Sequence, residues 1–336
     1  MMTKIDKNIF DKIMFTYSMF RKLVFHRLKG SGLTTGQPKI LEFLAQSGPV
    51  IQKEIASACE IETSTVGRLL RKLESGGLIR REQLPENRRV VRVSLTDLGR
   101  TKASLVQESF RLCEEDAFLG IGREQRCHFL GVLCQMEENL RAVALEQEEK
   151  QRHGYQQEHA TSLLDADPLS PSLLKQVLFS QSGRQTLSER KPRIRSLHQE
   201  LQSCQAVLYQ QLFRFLKGTG LTPGQPKILE FLETGEGSQQ KEIAAACRIE
   251  PATVTSLLFY MEQAELIERR EENGDRRSQH VYLTPKGRQN TQKTIRALEQ
   301  TMEAAFKGIE QEQEDFKKIL RLLRENLRQA AEREGL

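Results

Sequence analysis

One stretch of this chain is written twice, and that repeat limits what the chain can become. Gly32-Leu33-Thr34-Thr35-Gly36-Gln37-Pro38-Lys39-Ile40-Leu41-Glu42-Phe43-Leu44 returns as Gly220-Leu221-Thr222-Pro223-Gly224-Gln225-Pro226-Lys227-Ile228-Leu229-Glu230-Phe231-Leu232, an offset of 188 residues. The offset holds downstream. Gln52-Lys53-Glu54-Ile55-Ala56 matches Gln240-Lys241-Glu242-Ile243-Ala244, Thr65-Val66 matches Thr253-Val254, and Leu95-Thr96 matches Leu283-Thr284. An ungapped match over roughly seventy residues means one fold made twice, and a period this long gives two domains, not a solenoid. The length of 336 residues also suits about two domains.

Hydrophobic periodicity supplies the elements. Ile9, Ile13, Tyr17, Phe20 and Val24 stand three and four apart, predicting an amphipathic helix over 5–29 that Gly30 and Gly32 stop. Thr34 with Gln37, and Thr222 with Gln225, have capping-box spacing, and Pro223 would take the first helical position. Short helices follow, one through Phe43 and Leu44 and one over 52–59. A tight turn at Glu60-Ile61-Glu62 leads to a helix over 63–75 with Val66, Leu69, Leu70 and Leu73 inward, closed by Gly76-Gly77. Alternation at Leu78–Arg81 and Val90–Leu95, around the turn signal Pro85-Glu86-Asn87-Arg88, predicts a hairpin. Helices over 97–118 and 123–148 complete the copy. The second copy repeats the order: 193–217, 222–232, 240–247, 251–263, a hairpin at 266–283, and helices from 285 to about 333. The domains are thus 1–148 and 193–336. A polar linker, 149–192, joins them, with one short helix near Leu173–Phe179.

Bulk chemistry narrows the function. Charged residues make up 29% of the chain, the net charge is +6 and the pI is near 9.0, which permits a polyanionic partner without establishing one. No uncharged apolar run approaches membrane-spanning length, and the N-terminus has no signal-peptide core, so a cytoplasmic protein is expected. Six cysteines without a CxxC pair are expected to be thiols. Cys59 and Cys247 fall at equivalent inward positions. Cys113, Cys127 and Cys134 have apolar helical neighbours and read as core or interface. The six histidines are scattered, and no metal or cofactor is implied. No Walker loop, dinucleotide fingerprint, nucleophile elbow or zinc-protease motif is present, which argues against an enzyme.

Two short helices across a tight turn, followed by a two-stranded hairpin, make a winged helix-turn-helix. The second helix is narrow enough for the major groove, where base edges are distinguishable. A wing bearing arginines suits the focused negative potential of a minor groove. The first reading helix offers Ser64, Thr65, Arg68, Arg71 and Lys72, and its wing offers Arg88 and Arg89, with Arg92 on the outgoing strand. The second offers Ala252, Thr253, Thr255, Ser256 and Phe259, with Asp275, Arg276 and Arg277 on its wing. A single arginine is ordinarily just a solvated residue; a pair at the same wing position in both copies points further.

These motifs resemble the MarR family of winged-helix transcriptional regulators. Leu-Thr-x-x-Gln, Lys-Glu-Ile-Ala, Thr-Val, Gly-Leu-Ile-x-Arg and Arg-Arg before Leu-Thr-x-x-Gly carry the likeness over about 30–100 and 218–288. The resemblance implies a bacterial or archaeal DNA-binding regulator. It also implies dimers in which first and last helices interlock, and release of DNA by small phenolic or lipophilic ligands or by oxidants. The expected fold is mainly α with small β wings: two tandem winged-helix domains on a helical dimerisation-type region. Fusion of two copies suggests an intramolecular pseudo-dimer, helices 5–29 and 123–148 packing on 193–217 and 310–331, with the fused partner at high effective concentration.

The two heads differ. Arg68, Arg71 and Lys72 become Ser256, Phe259 and Tyr260. Asp275 keeps the acidic residue that the resemblance places before the arginine pair, where copy one has Asn87, and Pro251 keeps the helix-start proline, where copy one has Thr63. Phe259 would touch a thymine methyl or pack on a neighbouring element. The expected partner is double-stranded DNA carrying an imperfect palindromic operator, read by a monomeric pseudo-dimer. Cys204 with Tyr209 suggests the thiol-based branch of the family, although the spacing fits poorly and Thr16 stands at the equivalent place. Tyr17, Phe20 and Phe213 mark a region where an effector would sit, and are first of all core residues. The competing reading is a protein-interaction module whose heads have lost DNA reading, with Phe259 and Tyr260 as the docking face.

Overall fold

The computed structural model describes residues 5–59, 61–84, 87–163, 196–271 and 279–336. Copy one runs α1 (Asn8–Arg27), α2 (Gln37–Ser47), β1 (Val50–Ile51), α3 (Gln52–Cys59), α4 (Thr63–Ser75), β2 (Ile79–Leu84), β3 (Asn87–Leu95), α5 (Asp97–Ala117) and α6 (Arg123–Leu163). Copy two runs α7 (Leu197–Phe215), α8 (Gln225–Leu232), β4 (Ser238–Gln239), α9 (Gln240–Cys247), α10 (Pro251–Gln263), β5 (Ile267–Glu271), β6 (Gln279–Leu283), α11 (Pro285–Ala305) and α12 (Gln313–Arg333). Each head is thus a helix-turn-helix followed by a hairpin, as expected, and Pro251 does open α10.

Three details differ from the sequence reading. First, each hairpin gains a third strand: β1 pairs antiparallel with β3 (Val50↔Val93) and β4 with β6 (Ser238↔Val281). Two residues are too few to show alternation, so periodicity could not reveal them. Second, the capping boxes at Thr34 and Thr222 form only by half. The Gln37 and Gln225 side chains accept from the Thr34 and Thr222 backbone N–H at 2.6 and 2.8 Å, but the helices begin at Gln37 and Gln225. Gly36 and Gly224 precede them at φ 89° and 94°, so Pro226, not Pro223, occupies the first turn of α8. Third, α6 does not stop near 148 but continues to Leu163. Its Gln, Glu, Lys and Arg are good helix formers, and the single Gly154 costs only about 1 kcal/mol. The short helix expected near 173–179 lies outside the described residues.

The Leu-Thr-x-x-Gly motif is a structural joint. Thr96 caps α5 by accepting from Gly99 N at 3.0 Å, while its hydroxyl donates to Gly77 O at 2.6 Å. Thr284 does the same with Gly287 N (2.9 Å) and Glu265 O (2.6 Å). A Cβ at Gly99 or Gly287 would lie 1.9 Å from the carbonyl oxygen of Leu78 or Leu266, so only glycine permits the approach.

The body between the heads is a pseudo-dimer. α1 packs on α12 and α6 packs on α7, the two equivalent first-to-last pairings; α5 meets α12 and α11 meets α6. α1 and α7 pack on each other across the axis. At the centre Phe129 and Phe316 stack with ring centroids 4.7 Å apart. Deleting either ring would cost about 3–5 kcal/mol. The exchange is reciprocal in its hydrogen bonds. Asn139 Nδ2 donates to Ala305 O and Lys307 O, both at 2.9 Å. Asn326 Nδ2 donates to Ala117 O and Leu119 O at 2.9 and 2.8 Å. Each asparagine thereby satisfies orphan carbonyls where a helix of the other copy ends. In these last helices the offset is 187 residues, one fewer than in the heads.

One joint is strained. After α4 the chain turns through Gly77 at φ 67°, but after α10 the equivalent residue is Glu265 at φ 56°. Replacing Glu265 with Gly is expected to stabilise the chain by about 0.5–1 kcal/mol, the left-handed penalty less the extra unfolded-state entropy of glycine. Urea denaturation checks this: the midpoint should rise at unchanged slope, and an unchanged or lower midpoint refutes it.

Candidate nucleic-acid interface

Burial of one face fixes what the other presents. Val66, Leu69, Leu70 and Leu73 seat α4 in the head core. Gly36 lies so close to it that a Cβ would approach Leu69 Cδ1 to 2.9 Å, and a Cβ at Gly224 would approach Leu257 Cδ1 of α10 to 2.8 Å. Gln52 Nε2 donates to Thr63 O at 3.1 Å, pinning the start of α4 to α3. Ser64, Arg68, Arg71 and Lys72 are then exposed and Thr65 half-buried. Among the described residues Arg68, Arg71 and Lys72 have no ion-pair partner, so three positive charges stand uncompensated on one helix face.

The second head has a different face. Ala252, Thr253, Thr255, Ser256, Phe259 and Tyr260 are exposed on α10. Thr255 is internally engaged: Gln240 Nε2 donates to its hydroxyl at 2.7 Å, and that hydroxyl donates to Pro251 O at 2.9 Å. Phe259 does not pack on a neighbouring element. It is 53% exposed and meets Tyr260 edge-on at 5.5 Å. In the first wing Arg88 and Arg89 fall on the β3 backbone, and Arg92 is exposed. Asp275, Arg276 and Arg277 lie outside the described residues.

The seams joining heads to body also differ, and here sequence reading missed the chief residue. His198 on α7 is buried against the first head. Its Nε2 is 2.9 Å from Glu42 of α2 and its Nδ1 2.7 Å from Glu114 of α5, with Ser196 Oγ 2.9 Å from Nδ1. Phe110 stacks on the ring at 3.9 Å. Burial by itself would push the imidazole pKa down, but hydrogen bonds to Glu114 and Glu42 outweigh it and hold the pKa up at about 9. At the equivalent place in the other seam stands Phe10, edge-on to Tyr209 at 5.5 Å, while Glu230 pairs with Lys7 at 2.8 Å. Nothing in the local sequence around His198 signals its two carboxylates, which come from positions more than eighty residues away.

The sensor candidates disperse. Cys204 is fully buried, and burial raises the Tyr209 pKa. The Tyr17 hydroxyl donates to Gln202 across the axis at 3.3 Å. Burial pushes the Cys113 thiol up to about 12 and Cys247 up to about 11. Cys59 and Cys247 are core, as expected, whereas Cys127 is exposed, against expectation: it falls on the polar side of α6, opposite Phe129 and Leu133. No group of histidine, cysteine and carboxylate among the described residues is arranged to hold a metal, and no helix among them is long and apolar enough to cross a membrane.

A helix-turn-helix and hairpin, made twice around a pseudo-twofold helical body, define a winged helix-turn-helix regulator. Residues 33–91 and 219–278 each match a model described as MarR family. The chain belongs to the MarR family, as two tandem MarR domains. It is 25% identical over 113 residues to the uncharacterized HTH-type transcriptional regulator YdgJ of Bacillus subtilis, covering 34% of this chain and 69% of that one. YwoH of the same organism, also an uncharacterized HTH-type regulator, is 29% identical over 115 residues, 34% of this chain and 83% of its own. Among solved structures, the transcriptional repressor CouR bound to a 23-mer DNA duplex matches at 25% identity over 35% of this chain and 84% of that one, with a TM-score of 0.33.

The His198 seam makes stability depend on pH. A histidine whose folded pKa is raised from 6.5 to about 9 contributes stability that is complete below about pH 6.5 and lost as pH rises through 9. The thermal midpoint is therefore expected to fall between pH 6.5 and 9.5, and His198→Phe, which copies Phe10, should flatten that slope. Parallel slopes in the two proteins would rule out this role for the imidazole.

Proposed function

We propose that the chain is a sequence-specific double-stranded DNA-binding regulator that grips one duplex as a single-chain pseudo-dimer. The observation that carries this is the triad Arg68, Arg71 and Lys72, exposed and without an ion pair among the described residues, on the reading helix of one of two pseudo-twofold heads. Two such helices about one DNA turn apart, roughly 34 Å, would enter successive major grooves. In the first head, arginines suit guanine edges and phosphates. In the second, the apolar faces of Phe259 and Tyr260 suit thymine methyls. The wings, with Arg88, Arg89, Arg276 and Arg277, would lie toward minor grooves. The target is then an imperfect palindrome whose halves are read by different chemistry.

A small-molecule effector fits the family and the seams between heads and body, where a shift of one helix would re-aim a head. A second reading is favoured by one observation, the exposed Phe259–Tyr260 pair: this head docks protein instead of DNA. Salt separates the readings, since phosphate-driven binding weakens steeply as salt rises and an apolar contact does not.

Arg68→Ala is expected to weaken operator binding by roughly 10- to 100-fold, the cost of about 1–3 kcal/mol for a base-reading arginine. The loss of footprint should concentrate in one half-site, while Phe259→Ala affects the other. Equal losses on both halves, or a protein that ignores salt, would overturn the proposal. Light scattering at low concentration should give the mass of one 38.5 kDa chain, and an obligate dimer would contradict a single-chain grip.

A further inference from the structure

Four leucines follow the outer side of α5 at intervals of seven residues: Leu98, Leu105, Leu112 and, just past the end of the helix, Leu119. At 3.6 residues per turn a step of seven nearly completes two turns, so the helical leucines fall in one row along the axis. Ala103, Val106, Cys113 and Ala117 turn inward to the body, and the leucines stand clear of them, 50, 41, 38 and 62% exposed in chain order. Single exposed leucines are ordinary. This row presents roughly a few hundred Å² of apolar surface, the size at which an exposed patch marks an interaction site.

The other copy has no such row. At the equivalent places stand Lys286, Lys293, Gln300 and Lys307, all exposed. The inward positions of α11, Thr291, Thr294, Thr301 and Ala305, are buried like their counterparts on α5. The same backbone thus folds with lysine or glutamine at all four places. Packing within the chain does not require leucine there.

The row is complementary to itself. Consider a twofold axis that crosses α5 between residues 108 and 109. It lays the α5 of another chain antiparallel on this one, with Leu98 against Leu119 and Leu105 against Leu112. Lys102 then comes level with Glu115 and Asp116 of the other chain. Glu108 and Arg111, which pair at 2.6 Å within one chain, meet their counterparts at the axis as a neutral quartet. A parallel arrangement in register would set Lys102 on lysine and Glu115 on glutamate, and α11 of another chain would offer lysines to the leucines; both juxtapositions are unfavourable.

We propose that the row Leu98, Leu105, Leu112 and Leu119 is a self-association surface that joins two chains, α5 antiparallel to α5. The row occurs once per chain, so the contact is isologous and closes at two; a body with the row on both copies would grow into an open string of molecules. The buried area falls below about 1,200 Å², in the weak and transient class. Association is therefore reversible, and the separate 38.5 kDa chain prevails at low concentration. The inference does not rest on DNA recognition, because mass is measured with no duplex present.

The test is sedimentation equilibrium of the full chain from about 1 µM to about 1 mM, the span over which weak interfaces form. Reductant keeps the exposed Cys127 from forming a disulfide. The mass should rise from one chain toward two and stop there. Leu105→Lys combined with Leu112→Gln takes the residues that α11 carries; it should leave thermal unfolding close to wild type and weaken association at least 10-fold. Leu145→Gln, a similarly exposed leucine on α6, should change nothing. Leu98→Lys and Leu119→Glu should each weaken pairing, and the two in one chain should recover part of it, because antiparallel helices set those positions together. A chain that stays single throughout, as it would if another protein covers the row, overturns the proposal. So does association that survives the Leu105 and Leu112 replacements, that grows past two chains, or that the combined Leu98 and Leu119 replacements fail to recover.

Discussion

The structure depends on four helices that cannot bury their apolar faces within their own copy. α1 and α12, and equally α6 and α7, cover each other across a pseudo-twofold axis. Ile9, Ile13, Phe20, Phe129, Leu133, Phe316, Leu320 and Leu327 are nearly or fully inaccessible in the body where the two copies meet. Each head, by contrast, closes its own small core with α4 or α10 and the hairpin. The body therefore sets how the heads are held, and each head sets which helix face is left exposed. A twofold body also predisposes its heads to a target of related symmetry, because the surfaces it presents are related by the same rotation.

Departures from that symmetry are concentrated on the exposed faces of α4 and α10 and at the seams between heads and body. The reading helix of copy one is cationic and that of copy two aromatic. One seam holds His198 between two carboxylates, and the other holds Phe10 against Tyr209. One side of the body pairs Glu137 with Arg141, and the other sets two arginines, Arg248 and Arg324, over Phe15. The joints that make the fold are kept in both copies: the Thr caps, the close-approach glycines and the asparagine bridges.

Much of this was legible in the sequence because it is local. The helices over 52–59, 63–75, 240–247 and 251–263 have the bounds that periodicity and turn residues gave, and the exposed faces of α4 and α10 follow from the same 3.6-residue stripe. What was not legible is contact between distant positions. His198 with Glu42 and Glu114, Asn139 with Ala305, and Arg248 with Phe15 each join residues far apart in the chain, and no local signal marks them. The half-formed caps at Gln37 and Gln225 failed for another reason. A helix start with the right spacing was displaced by two left-handed glycines that press against α4 and α10, a tertiary demand overriding a local preference.

Joining the two copies by covalent bonds changes what substitution can do. In an assembly of two identical chains, a replacement such as phenylalanine for histidine strikes both seams at once, and its energetic consequence is doubled. Here Phe10 and His198 sit at matching places yet are separate codons, so either can drift alone, at half the penalty and without dragging its counterpart along. A molecule of this kind can reach lopsided arrangements that an assembly of two identical chains would find only by way of a mixed pair.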